Sequence, residues 1–334
     1  MNLNRLIIIC IISSSLASCS NNRWNIDTST ITINQQFKRF DQDLFAIPHD
    51  SIWPYVPTLE KKYDRFFELY NTQIIRIGGT NQLDYDKKLL YFLTDPDMED
   101  CYAEVQKSFP DLFFKDELNE AFKRYHSYFP EKPIPDIYTH ISGFNQSIVV
   151  DSGYISISLD KYLGPQSKFY QMLRTPQYLK QNMRPEKITS DVIYALALTN
   201  FPFNSKKDDL IAEMIYYGQV HVLMDALLPV TADTLKWGYT EEKLRWCKKN
   251  EKQIWLYLVD QKLLFSSSHK DIMQMIDEGP FTSPFGNQSA DRTGQWLGYQ
   301  IVNSYLKHHP EITLPELMQN NQYQQILNES KYKP

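Results

Sequence analysis

The segment from Leu210 to Leu228 limits what this chain can fold into, because it is apolar on nearly every face of a helix. A helix that is apolar all round is buried inside a larger body rather than lying on its surface. Asp208 and Asp209 precede the segment, at the end of a helix where a cap and negative charge are favoured. We therefore predict a buried helix that begins after Asp209, with much of the fold packed around it.

Four of the polar residues in this segment lie at intervals of four positions: Glu213, Tyr217, His221 and Asp225. Steps of four residues drift by about 40° around a helix, so these side chains form one slowly turning stripe. A buried carboxylate is costly unless it is paired or binds a metal. The stripe is therefore either a metal-binding or general-base site, or a structural network with tyrosines or an arginine such as Arg174 or Arg292. The spacing favours the structural network, because His221 and Asp225 form a weak two-ligand pattern.

The seven histidines argue against a standard zinc peptidase, since no two of them lie four positions apart. Such peptidases hold zinc with two histidines on one helical turn and activate water with the glutamate between them. A nucleophile elbow and a phosphate-binding glycine loop are also missing from the sequence. We therefore predict that the chain is not an enzyme and uses no cofactor or metal. The alternative is a hydrolase with a non-standard metal site formed by Glu213, His221, Asp225 and a ligand such as His140.

The acidic, aromatic-rich composition narrows the classes of function. A net charge of −5 argues against a nucleic-acid-binding role. The 22 tyrosines and 6 tryptophans suit either a carbohydrate- or peptide-binding protein or a large aromatic core. Core use is favoured, because one run of aromatic residues follows the spacing of a buried helix face: Tyr63, Phe66, Phe67 and Tyr70.

Helical periodicity dominates the chain on both sides of one β-rich region. Residues 137–159 contain three short β-like runs separated by turn sequences, which predict a small antiparallel sheet. Helical segments are predicted from 165 almost to the end. Before the sheet they are predicted from residue 40 to a break at Pro54, and at 59–77, 84–92, 97–108 and 112–129. The predicted fold is α+β and predominantly α-helical, with a single globular domain over residues 37–330.

The N-terminus has the pattern of a bacterial lipoprotein signal: Arg5, the apolar run LIIICII at 6–12, and Leu16-Ala17-Ser18-Cys19. This run is too short to span a bilayer, which needs about 20 apolar residues. We predict that residues 1–18 are a cleaved signal peptide and that Cys19 carries lipid chains such as palmitate. Residues 19–36 are polar and are predicted to be a tether or an early edge strand. The domain is then expected in the cell envelope, anchored to the inner or outer membrane, in the periplasm or at the cell surface.

Two cysteines remain after the predicted lipid attachment site, Cys101 and Cys247. Disulfides form in the compartment that a secretory signal predicts, so a bridge between these two residues is one interpretation. Both lie in helical stretches beside aromatic residues, where a buried free thiol is the alternative. Two cysteines are too few for a zinc-ribbon site.

Several motifs make the chain resemble the gliding motility lipoprotein GldB family of the Bacteroidetes over nearly its whole length. They are the signal that ends at Cys19, FDQDLF at 40–45, ISGFN at 141–145, Ser156 with Leu159-Asp160, LIAEMIYYG at 210–218 and RTGQWLG at 292–298. The resemblance implies a membrane lipoprotein required for gliding motility or the associated type IX secretion machinery. It also implies a non-enzymatic assembly role, with other envelope proteins as partners.

That family is in turn similar to zinc peptidases in which a helix with paired histidines precedes a helix whose glutamate completes the site. The resemblance places Glu213 at the position of this third ligand. It places Ser190, Asp191 and Tyr194 where the paired histidines would lie, so the implied scaffold is a degenerate gluzincin-like peptidase. The implied vestigial site is a buried polar network of these residues with Tyr217, His221, Asp225 and Arg292.

Overall fold

The computed structural model describes residues 23–334. The predicted signal peptide, Cys19 and the first residues of the predicted tether lie outside the described residues. The rest of that tether segment lies against the domain. The Trp24 side chain is buried, and the Arg23 guanidinium donates hydrogen bonds to the carbonyl oxygens of Leu306 (2.8 Å) and Ile312 (2.7 Å). Folded structure is therefore present from Arg23 onward rather than from residue 37.

Six α-helices and a π-helical turn precede residue 129 in the described chain. Their bounds are α1 Phe40–Phe45, α2 Val56–Tyr63, α3 Arg65–Leu69, the π-helical turn Tyr70–Ile74, α4 Tyr85–Leu93, α5 Pro96–Ser108 and α6 Lys115–Tyr128. The helices predicted at 84–92, 97–108 and 112–129 are confirmed, with ends that differ by at most three residues. The helical region predicted from residue 40 begins as expected, but its helix already ends at Phe45 rather than near Pro54.

The prediction of one continuous helix over residues 59–77 is wrong, because the helix breaks at Asp64. Asp64 has a positive φ of 44°, which an α-helix does not accommodate, so α2 ends there and α3 begins as a separate helix. The aromatic residues on either side still reach one core, where Tyr63, Phe66 and Tyr70 are at most 2 % exposed. The predicted aromatic core is therefore confirmed.

Four strands form one mixed sheet in the order β1-β2-β4-β3. They are β1 Phe37–Arg39, β2 Asp136–His140, β3 Ile148–Asp151 and β4 Tyr154–Ser158. The three predicted strands are confirmed, but the predicted antiparallel arrangement is wrong: only β3 and β4 pair antiparallel, whereas β1–β2 and β2–β4 are parallel. A parallel pair needs a long connection, which helices α1 to α6 supply between β1 and β2.

Ten α-helices follow the sheet, and the predicted apolar helix is among them. Their bounds are α7 Lys168–Met172, α8 Gln177–Lys180, α9 Ile188–Asn200, α10 Leu210–Leu227, α11 Asp233–Trp237, α12 Glu241–Asp260, α13 His269–Ile276, α14 Thr293–His308, α15 Leu314–Gln319 and α16 Tyr323–Ser330. The Asp209 carboxylate caps α10 as predicted, by accepting a hydrogen bond from the Ala212 amide at 3.1 Å.

Helix α10 is the centre of this helical half. It packs closely against α14 and also contacts α6, α9, α13, α15 and α16. Fifteen of its eighteen residues are buried, so the predicted all-round burial is nearly complete. Across residues 23–334, none of the helices combines the length and the apolar character that crossing a membrane requires.

The two cysteines of the domain lie in different clusters of buried side chains. Cys101 belongs to the large cluster around α10, and Cys247 belongs to a smaller one with Trp237 and Trp296. Both are buried free thiols, and burial raises the pKa of each. Of the two interpretations of Cys101 and Cys247, the structure has the buried free thiols and not the disulfide.

Candidate functional site

The predicted polar stripe of α10 is the one edge of that helix that is not fully buried. The three residues of α10 that remain partly exposed are Glu213, Tyr217 and Asp225. His221, the fourth member of the stripe, is 2 % exposed. The four side chains share this edge, but each end of the stripe has its own set of partners.

Asp225 takes part in a tight polar network at the C-terminal end of the stripe. Its carboxylate forms an ion pair with Lys236 of α11 and accepts a hydrogen bond of 2.6 Å from the Tyr299 hydroxyl of α14. Lys236 is only 8 % exposed and also pairs with Asp233 at 3.0 Å. Asp225 therefore neutralises a buried lysine and joins three helices.

His221 is held as a neutral, stacked ring. Its imidazole lies parallel to the Trp237 indole with ring centroids 3.5 Å apart, and its Nε2 is 3.3 Å from the Gln295 Oε1. Burial lowers the pKa of His221 to about 3, and the positive charge of Arg292 adds to this shift. A neutral imidazole whose Nε2 faces Gln295 is therefore the state at neutral pH.

Glu213 lies at the other end of the stripe among carboxylates rather than cations. Burial raises the pKa of Glu213 to about 7, and the negative charges of Asp208 and Asp277 contribute to this rise. Burial also raises the pKa of Tyr217, and the negative charges of Glu213 and Asp277 contribute to this rise. The protonation equilibrium of Glu213 is therefore shifted towards neutral pH, the range that suits proton transfer.

Arg292 does not bind Glu213 in this structure. It precedes α14 with a positive φ of 50°, forms an ion pair with Asp291 at 2.9 Å and donates a 2.8 Å hydrogen bond to the Trp237 carbonyl oxygen. Its guanidinium also lies over the Tyr239 ring, 5.1 Å from the centroid. Arg174, the other candidate partner, is exposed on the surface. The predicted arginine–Glu213 pair is therefore wrong.

The three residues predicted on the neighbouring helix have separate environments on α9. Asp191 accepts a 2.9 Å hydrogen bond from the Tyr162 hydroxyl and pairs with Lys187. Tyr194 lies beside His221, with ring centroids 6.0 Å apart. Ser190 is fully buried, and its hydroxyl has no hydrogen-bond partner among residues 23–334.

A polar cavity of about 280 Å³ brings part of the predicted site together. Asp191, Tyr194, His221 and Arg292 line it, whereas Glu213, Tyr217, Asp225 and Ser190 do not. The remaining charged groups in its wall are Lys161, Lys187, Lys236 and Glu278. The cavity can therefore offer several cationic hydrogen-bond donors to a ligand.

The alternative metal site does not assemble from its proposed residues. His140 lies on β2, where its Nδ1 is 2.6 Å from the Ser156 Oγ and its ring packs 5.8 Å from that of Phe66. Burial lowers the pKa of His140 to about 3. No group of three His, Cys, Asp or Glu side chains in residues 23–334 is placed to hold a metal ion.

The sequence interpretation missed the three lysines of this cavity and the Trp237 ring under His221. The sequence does indicate a role for Lys187, because it precedes Asp191 by four positions on a helical segment, the spacing of an ion pair. It gives no such indication for Lys161 and Lys236, since their place in the cavity depends on how separate elements pack.

Fold and cavity together define a predominantly helical α+β protein with a small polar pocket beside a buried central helix. The family model for gliding motility protein GldB, which is designated a lipoprotein model, matches residues 21–334. The chain belongs to this family, and the predicted family resemblance is confirmed. No curated protein and no solved structure matches the chain.

Proposed function

We propose that this chain is an envelope lipoprotein that acts in gliding motility or the associated type IX secretion machinery through contacts with other envelope proteins, without catalysis. The observation that carries this proposal is the match of the GldB family model to residues 21–334. The relationship to zinc peptidases stays a prediction from the resemblance alone.

Membrane attachment through Cys19 is supported by the lipoprotein signal that ends there and by the designation of the family. Arg23, four residues later, is fixed to the carbonyl oxygens that follow α14. Four residues span at most about 14 Å, so the lipid would hold the folded body close to the membrane surface. This face of the protein would then be turned towards the bilayer.

A role without catalysis is supported by the way the stripe residues are used. Asp225 neutralises Lys236, and His221 stacks on Trp237 as a neutral ring. Among residues 23–334, neither side chain belongs with Glu213 to a group that could hold a metal ion. These contacts are those of a structural network.

Deletion of the gene in the source bacterium tests this role. We expect loss of cell spreading, of surface adhesin export or of secreted protein levels, restored by the wild-type gene. The variant Cys19→Ser should fail to restore the wild-type phenotype, and the variant protein should no longer be found in the membrane fraction. Cys10→Ser, which removes the other cysteine near the N-terminus, is the matched control and should restore it fully. An unchanged phenotype on deletion contradicts the proposal.

One observation favours a second candidate, a hydrolase that uses Glu213 as a general acid or base. The pKa of Glu213 is raised to about 7, the range in which a carboxyl group transfers protons at neutral pH. Assays of the purified full-length protein and of its Glu213→Gln variant against peptide and ester substrates separate the two candidates. Hydrolysis that is lost in Glu213→Gln would support the hydrolase, and background activity in both proteins would support the structural role.

A further inference from the structure

The polar cavity beside α10 has an unusual share of cationic side chains in its wall. Lys161, Lys187, Lys236 and Arg292 line it, against the two carboxylates of Asp191 and Glu278. Lys187 and Lys236 are only 6 % and 8 % exposed. Lysines are rarely buried to this extent unless they are paired, so the partners of these two lysines decide how much charge is left for a ligand.

Carboxylates pair with three of the four cations. Lys187 pairs with Asp191, Lys236 with Asp225 and Asp233, and Arg292 with Asp291. The carboxylates of Asp225, Asp233 and Asp291 are not part of the cavity wall. The wall therefore contains four cationic residues but only one of the four carboxylates that pair with them, Asp191.

Lys161 is the cation of this wall that forms no ion pair with a carboxylate in the described chain. Its ammonium donates a 3.1 Å hydrogen bond to the Phe144 carbonyl oxygen. The nearby Asp160 carboxylate is buried and already accepts hydrogen bonds from the Ser142 amide (3.1 Å) and the Phe144 amide (2.7 Å). Lys161 thus has donor capacity left for a ligand.

The His221 ring lies in the same wall as these cations. Burial is the main cause of its lowered pKa, and the positive charges of Arg292, Lys187 and Lys236 lower this pKa further. The carboxylate of Glu278 is exposed at the rim. An anion that enters the cavity would therefore meet the cations of the wall, where the Asp191 carboxylate is already paired with Lys187.

We propose that this cavity binds a small anionic molecule through a carboxylate or phosphate group held by Lys161, Lys187 and Arg292. Its volume of about 280 Å³ is near the lower end for ligand pockets, about 300–1,000 Å³, so the ligand is small. Ser147, Thr175 and Asn182 add neutral hydrogen-bonding groups to the wall, which suit hydroxyls on the same molecule. The inference does not depend on the proposed role in motility.

Thermal unfolding of the full-length protein in detergent, at constant ionic strength, tests this site with three probes: inorganic phosphate, glucuronate and neutral glucose. A ligand that binds only the folded state raises Tm in a concentration-dependent way. We expect a saturable rise with phosphate, with glucuronate or with both, and no rise with glucose. Phosphate alone would identify a phosphate-bearing ligand, and glucuronate alone would identify a carboxylate. If neither anion gives a saturable rise in Tm, the proposal is overturned.

Three variants separate binding in the cavity from general salt effects. Lys161→Gln leaves no carboxylate unpaired and should weaken anion binding about tenfold, equivalent to about 1.4 kcal/mol. Lys161→Arg should keep most of the affinity. Lys249→Gln removes the same charge from an exposed position on α12 and should bind like wild type. Equal affinity of wild type and Lys161→Gln, with circular dichroism showing that both are folded, contradicts the proposal.

Discussion

Gly218 of α10 and Gly298 of α14 meet with their backbones in direct contact. A Cβ atom on Gly218 would lie 2.5 Å from the Gly298 carbonyl carbon, and one on Gly298 would lie 1.7 Å from the Met214 carbonyl oxygen. Both values are far below van der Waals contact. This close approach brings α14 near enough for Gln295 to reach His221 at 3.3 Å. The glycine pair therefore sets the position of one wall of the site.

The variant Gly298→Ala should destabilise the fold strongly, because the added methyl group would overlap backbone that cannot move independently. Inserting a methyl group into a well-packed core typically costs about 1–3 kcal/mol, and this overlap should reach or exceed that range. The free energy of unfolding in urea measures the effect. Gly279→Ala is the control, since its Cβ would lie no closer than 3.7 Å to any neighbour. Equal stability of the two variants would contradict this account of the helix contact.

His221 should make the fold sensitive to acid. The pKa of His221 is about 3 in the folded protein, against an ordinary value of 6.5 when the chain is unfolded, so the unfolded chain binds more protons between these values. Stability therefore falls as the pH drops below about 6.5. The variant His221→Gln should reduce the difference in unfolding free energy between pH 7 and pH 5 by about 2 kcal/mol.

Urea unfolding at both pH values measures this difference. The exposed His49 provides the control, and His49→Gln should keep the wild-type dependence on pH. If the unfolding free energy of His221→Gln depends on pH as that of the wild type does, the buried ring must be charged at pH 5, which would contradict this account.

Glu213 should have the opposite dependence on pH. Its pKa is about 7 in the folded protein, against an ordinary value of 4.5 when the chain is unfolded, so the folded chain binds more protons between these values. Stability is lost as the pH rises towards 7, and Glu213→Gln should remove this loss. Because the side chain is partly exposed, we expect a gain of about 1 kcal/mol at pH 8 and little change at pH 4.5.

The same unfolding measurement applies here, with Glu68→Gln at an exposed position as the control. A Glu213→Gln variant that is less stable than wild type at pH 8 would mean that the ionised carboxylate has a favourable partner.

Cys101 and Cys247 should behave as two buried free thiols. A thiol-alkylating reagent should leave both unmodified in the folded protein, because both are 0 % exposed. After unfolding without reductant, mass spectrometry should show alkylation at both positions. Recovery of a peptide pair linked through Cys101 and Cys247 would contradict the structure.

Local patterns predicted the helices and strands well, because each depends on neighbouring residues. The apolar run after Asp209 and the turn at Ser152 and Gly153 are examples. The pairing of β1 with β2 was not predictable in the same way. It joins Phe37 to Ile137 across six helices, and a three-residue strand carries too little pattern to indicate its partner.

The candidate site was predicted only in part, for a similar reason. The stripe on α10 followed from helical spacing, and the structure confirms that it shares one edge of the helix. The partners of these residues come from other elements, as Trp237 does for His221 and Lys236 for Asp225. Such contacts depend on how the helices cross. Spacing therefore offered Arg292 only as a candidate partner of Glu213, whereas in the structure it pairs with Asp291.

Complementation of a deletion strain by Glu213→Gln tests most directly the claim that this protein acts through contacts rather than catalysis. The amide keeps the size of the side chain but cannot transfer a proton as the carboxyl group does. We predict that Glu213→Gln restores cell spreading and adhesin export to the wild-type level. Failure to restore either of them, with wild-type amounts of folded protein in the membrane fraction, would contradict the account.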